Sequence, residues 1–219
     1  MKNALIVAIV ASASALVLAQ DAVKTDPTHY KVVLENASVR VLRLTYAAGA
    51  KSERHSHPDA IVVALSASKP TFTMPDGTSQ VSDLANDSAM FTPAGTHTVT
   101  NGSSSVDALL VEFKTAVAGK AVLPTSRPGM TLKTLADSPR AIASLATASA
   151  TFAEPAGSKH EFDQVVIALG PSPLSLSVTG QPTKTTWVRG DAVFIGRGVA
   201  HESKNTGGKP SDMIIISIR

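Results

Sequence analysis

The sequence predicts an all-β fold built from two similar halves. Two observations carry that prediction. Short runs rich in Val, Ile, Leu and Thr alternate with Gly, Pro, Asn, Asp and Ser across the 219 residues, the pattern of strands joined by turns. The runs and their turn residues then recur at a nearly constant offset, the signature of an internal duplication.

The strand-like runs fall at 39–46, 61–65, 71–74 and 109–113 in the first half and at 165–169, 174–178 and 213–218 in the second. Pro75-Asp76-Gly77 reads as a tight turn, because Pro presets φ and Gly accepts a positive φ. The stretch 134–150 is rich in Ala and Ser and carries the only credible helical pattern, although a strand fits it equally.

The repeat is specific. Asp59-Ala60-Ile61-Val62-Val63-Ala64-Leu65 returns 104 residues later as Asp163-Gln164-Val165-Val166-Ile167-Ala168-Leu169. Gly77 returns as Gly180, and Ala89-Met90-Phe91 as Ala192-Val193-Phe194, both at 103. His97 and Asn101 return as His201 and Asn205 at 104, and Asp107 to Val111 as Asp212 to Ile216 at 105. The expected organisation is a first unit over 28–115, a linker over 116–131 marked by Gly119, Pro124, Pro128 and Gly129, and a second unit over 132–219.

Composition narrows the function. Hydrophobic residues make up 43% of the chain, enough for a packed core and too many for disorder. Lys and Arg number 20 against 17 Asp and Glu, and they are scattered. A nucleic-acid surface needs a basic cluster or stripe, so nucleic acid is excluded as a partner. The chain has no cysteine, which removes disulfides, thiolate catalysis and Cys-ligated metal sites. At the start, Met1-Lys2-Asn3 precedes an uncharged apolar run over 4–18, and Ala19 closes a small-residue pattern. This reads as a signal peptide over 1–19. The expected location is therefore periplasmic or secreted, with no membrane association once the leader is cut. The sequence leaves homo-oligomer formation open.

Five of the six histidines fall in or beside matching places of the two halves. Gly49 is followed by His55-Ser-His57, and imidazoles at i and i+2 of a strand point to one side. Pro93, Gly95, His97 and Asn101 follow about 40 residues on. These residues resemble the two motifs of the cupin superfamily, G-x5-H-x-H-x3–4-E-x6-G and G-x5-P-x-G-x2-H-x3-N. The second half fits the second motif through Gly190, Gly198, His201 and Asn205, with Gly196 in place of Pro.

The resemblance implies two tandem antiparallel β-barrels of jelly-roll type. It also implies a metal held by His55, His57 and His97. The family's glutamate falls at Ile61 or Val62, both apolar, so the implied site is a three-histidine variant. Imidazole donors suit Fe, Mn, Zn, Ni or Cu. Asp59 comes too early for the glutamate slot; its recurrence as Asp163 argues for holding a turn or a histidine N–H. Phe72, Met74 and Phe91 are core residues in the first instance and are candidates to line the pocket. His29, beside Tyr30, has no motif and reads as surface or core edge.

In the second half the histidine pair is missing. Alignment at an offset of 104 sets Lys159 and Glu161 opposite His55 and His57 and turns His160 to the other face. The expectation is a barrel that has lost its metal and serves packing; a retained site would use Glu161, His201 and His160. Two functions follow from the resemblance. One is a metal-dependent dioxygenase or related enzyme acting on a small chelating molecule, with oxalate-type chemistry disfavoured by the missing glutamate. The other is a non-catalytic binder of a metal or small molecule. No general acid or base stands out.

Overall fold

The computed structural model describes residues 20–116 and 122–219. The expected leader, 1–19, lies outside them. The described chain begins with one turn of helix, α1 (Ala22–Thr25), capped by the Asp21 carboxylate, which accepts from the backbone N–H groups of Val23 and Lys24. Nine strands follow: β1 (Tyr30–Glu35), β2 (Val39–Tyr46), β3 (His55–His57), β4 (Ala60–Ala64), β5 (Thr71–Thr73), β6 (Ser79–Val81), β7 (Ala89–Thr92), β8 (Gly95–Thr100) and β9 (Val106–Phe113). They pair as a five-stranded sheet, β1-β2-β9-β4-β7, and a four-stranded sheet, β3-β8-β5-β6.

The remaining strands are β10 (Met130–Asp137), β11 (Ala141–Ala148), β12 (Ala153–Ser158), β13 (Asp163–Ala168), β14 (Leu174–Val178), β15 (Ala192–Ile195), β16 (His201–Asn205) and β17 (Ser211–Ile218). They repeat the plan, as β10-β11-β17-β13-β15 and β12-β16-β14. All the strand pairings are antiparallel. The chain is thus all-β, with two barrel-like pairs of sheets in tandem.

The side-chain period of two in a strand explains the long apolar runs. On β9, Leu109, Val111 and Phe113 face one way and Val106, Ala108 and Leu110 the other. On β17, Ile214, Ile216 and Ile218 oppose Met213 and Ile215. One set from each strand joins a single cluster between the two five-stranded sheets, with Ile61, Val63, Val165 and Ile167 also fully buried there. The other sets fill the inside of each barrel. The halves are therefore fused through a shared core. Across its rim Arg189 donates to the Leu65 carbonyl and pairs with Asp87 at 2.5 Å, and Arg140 pairs with Asp59 at 3.4 Å.

The duplication is visible in fine detail. Gly77 and Gly180 both take positive φ, +87° and +82°, at matching turns. Asn101 donates to the carbonyls of Ala47 and Ser104, and Asn205 to those of Ser149 and Lys209. Both asparagines are loop clamps, as expected of turn residues.

The structure decides one open stretch and moves two boundaries. The 134–150 stretch is no helix: it holds the end of β10 and all of β11, where Ala141 and Ala143 are fully buried on one face and Ala146 and Ala148 on the other. Small residues are needed because both faces of β11 are packed. The first unit starts before 28, since Ala22 is buried in the first barrel's core and Asp21 bridges Ser56. At the other end, Pro128-Gly129 is the turn that opens β10 at Met130, within the span expected as linker.

Candidate metal centres

In the first barrel β3 and β8 lie side by side with His55 directly across from His97. His57, two residues on, shares their face. Ring centroids are 4.9 Å apart for His55 and His97 and 5.1 Å for His57 and His97. All three are buried. His55 donates Nδ1–H to the Glu53 carbonyl at 2.9 Å, and His57 donates Nδ1–H to the Pro58 carbonyl at 2.7 Å. A carbonyl can only accept, so each ring in its neutral form has its lone pair at Nε2, the arrangement of a metal-ligating imidazole. Burial, then the neighbouring imidazoles His55 and His57, push His97 down to about 3, so it is neutral at physiological pH. Burial also lowers His55. The donor set fits a divalent transition ion.

These imidazoles form the polar end of a cavity of about 400 Å³. Phe72, Met74 and Phe91 line it, and Phe72 meets the His97 ring edge-to-face at 5.1 Å. Of the two positions where the resemblance would put glutamate, Ile61 points into the shared core and Val62 into this cavity. Among the described residues, none lining the cavity is Asp, Glu, Lys or Arg.

Two tyrosines also line it. The Tyr30 hydroxyl lies 2.8 Å from His55 Nε2 and accepts from the Tyr46 hydroxyl at 2.7 Å. Because His55 Nδ1 is already the donor to Glu53, Tyr30 donates to Nε2. Burial, then Tyr46, raises the Tyr30 phenol well above its ordinary range, so it stays protonated. His29 sits at the core edge: it stacks on Tyr46 at 4.3 Å and contacts the Asp26 carboxylate at 2.8 Å. Sequence reasoning missed Tyr30 and Tyr46 because they sit on β1 and at the end of β2, outside both motifs.

Asp59 does not hold a histidine N–H. It accepts from the Ala94 backbone N–H at 2.8 Å and pairs with Arg140. Asp163 does the same for Arg197 N–H at 2.7 Å. Both aspartates pin the turn before the motif histidine, which is the turn-holding role that the repeat suggested.

The second barrel corrects the register. Ser158, not Lys159, stands across from His201, and a bulge interrupts β12 between Glu154 and Ser158. The local offset is therefore 103 and not 104, which brings His160 round to face His201 at 4.6 Å between ring centroids. Glu161 is exposed and takes no part. The carboxylate comes from Glu154 on the far side of the bulge. Its oxygens lie 3.9 Å from His160 Nε2 and 3.6 Å from His201 Nε2. Among the described residues, Glu154, His160 and His201 form the one trio whose ligand atoms all lie within 4.8 Å of one another. The three first-barrel imidazoles are a looser set by that measure. Nothing in the sequence marked Glu154, because the bulge that aims it is a tertiary feature.

No family model matches the chain, and no curated protein matches it. Solved structures do. A cupin 2 conserved barrel domain protein from Leptotrichia buccalis aligns with a TM-score of 0.56 at 10% identity, covering 87% of this chain and 88% of that one. A variant of Bacillus subtilis oxalate decarboxylase gives 0.59 at 11%, covering 86% and 71%. Oxalate decarboxylase from Lactobacillus farciminis, in a formate complex, gives 0.58 at 12%, covering 83% and 77%. At these identities the likeness is one of architecture: the chain has the fold of the cupin proteins, in double-barrel form.

Proposed function

We propose that this is an exported metal-binding double cupin whose first barrel acts as a dioxygenase on a small chelating molecule. The observation that carries the reading is the placement of three imidazoles at one end of a largely apolar cavity. His55, His57 and His97 would hold the ion, with His55 and His57 orientated by backbone carbonyls. The metal would supply a Lewis-acidic, redox-active centre. Phe72, Met74 and Val62 would exclude water and bind an apolar body. Tyr30 is a neutral donor in contact with His55, and it would hydrogen-bond an acceptor oxygen or sulfur of the ligand. With no cationic side chain in the lining, an anionic group of the ligand would have to sit on the metal.

The same lack of a carboxylate or amine in the lining favours a second reading, a non-catalytic binder. Oxygen uptake separates the two. Protein loaded with Fe(II) is expected to consume O₂ in the presence of a diketone, flavonol or thiol, and His97→Ala is expected to lose both bound iron and uptake. Tight binding of such a ligand to the loaded protein without any uptake would select the binder.

A further inference from the structure

The second barrel carries a problem that its own side chains do not solve. His201 is buried, and its Nδ1 lies 3.3 Å from the Val199 carbonyl, which can only accept. Its Nε2 lies 3.6 Å from Glu154 Oε2. His160 Nε2 faces Glu154 Oε1 at 3.9 Å. Both Nε2 atoms are buried without a hydrogen-bond partner. Two imidazole nitrogens and a carboxylate thus converge, and neither nitrogen has a hydrogen-bond partner. A buried cluster of this kind is costly unless a cation occupies its centre.

We propose that Glu154, His160 and His201 form a second metal site, for a divalent transition ion, with Arg127 beside it to receive a small anion on the ion's open positions. The site is independent of the first-barrel reading. Its donors differ in kind, two imidazoles and a carboxylate against three imidazoles, and the carboxylate arrives from before the bulge of β12. Two histidines with one carboxylate suit Fe(II), Mn(II), Co(II) or Zn(II) and leave positions free for exogenous ligands. The anion follows from charge. A divalent ion keeps a net positive charge after one carboxylate binds, and the Arg127 guanidinium lies 3.7 Å from Glu154 Oε1. Arg127, Glu154 and His160 line one cavity of about 420 Å³. Gln164, itself buried, accepts from Arg127 at 2.5 Å and holds the guanidinium in place.

The test uses the intact protein, stripped by chelator and titrated with Co(II), with visible absorption and metal analysis as readouts. The His97→Ala protein, whose first-barrel set is broken, is expected still to bind one equivalent. In that background Glu154→Gln should weaken Co(II) binding by about tenfold or more, and His201→Asn should abolish it. Circular dichroism and melting curves check that each variant is folded; should His201→Asn fail to fold, the isosteric and less buried Glu154→Gln decides the matter alone. Acetate should perturb the Co(II) spectrum, and Arg127→Gln should raise the acetate concentration required by about tenfold. Loss of all Co(II) binding in His97→Ala, or unchanged affinity in Glu154→Gln, would overturn the metal site. A Co(II) spectrum indifferent to acetate would overturn the anion role of Arg127.

Discussion

The Tyr30 hydroxyl donates to His55 Nε2 across 2.8 Å, joining β1 to the candidate metal ligands. A metal that takes His55 Nε2 has to displace this hydrogen bond and leave a buried phenol to find another acceptor. A net hydrogen bond of this type is worth about 1 kcal/mol. Tyr30→Phe is therefore expected to raise first-barrel metal affinity by about threefold to tenfold. Isothermal titration of the chelator-stripped variant in a Glu154→Gln background measures it. An affinity that falls would mean that the hydroxyl stays on as a partner of the bound ion.

Acid should destabilise the metal-free protein well before its carboxylates titrate. His97 and His160 sit at about 3 and about 4, each lowered chiefly by burial. In the unfolded chain an imidazole titrates near ~6.5. The unfolded state then binds more protons below that pH, so stability is complete above it and falls as pH drops toward the folded values. The slope is at most about 1.4 kcal/mol per pH unit for each histidine. Urea melts in chelator between pH 7.5 and 4.5 read it out, and His97→Gln should flatten the curve.

The shared core predicts that the halves melt together. Ile216 is fully buried between the two five-stranded sheets. Ile216→Ala is expected to cost about 2–5 kcal/mol and to lower one cooperative transition. A first transition at the original temperature, with only the second moved, would show that the barrels are energetically separate.

Arg40 bridges two acids, with Nε 2.6 Å from Glu112 and Nη1 2.5 Å from Asp21. Glu112 is 1% exposed, and its second oxygen has no partner. Arg40→Met would strand a buried carboxylate, so a loss of about 3–5 kcal/mol is expected. The double variant with Glu112→Gln should recover part of it, as chemical denaturation would reveal.

The sequence by itself determined the all-β class and the duplication, because strand periodicity and repeat offset are written residue by residue; His55, His57 and His97 were grouped by the family resemblance, and the structure set His55 across from His97. Runs such as 39–46 and 174–178 coincide with β2 and β14. Phe72, Met74 and Phe91 also reach the cavity. What only the tertiary structure decided lies at distances the chain does not encode locally. Ala-rich β11 is a strand because two packed faces demand small side chains, which overrides its helical propensity. Tyr30 meets His55 from 25 residues away. In the second barrel Ser158 rather than Lys159 stands across from His201, one place from the repeat offset, and in a strand one residue is the difference between facing in and facing out. That slip turns His160 inward, leaves Glu161 in solvent and brings Glu154 to both histidines, so the half that read as an empty barrel holds the tighter cluster of donors.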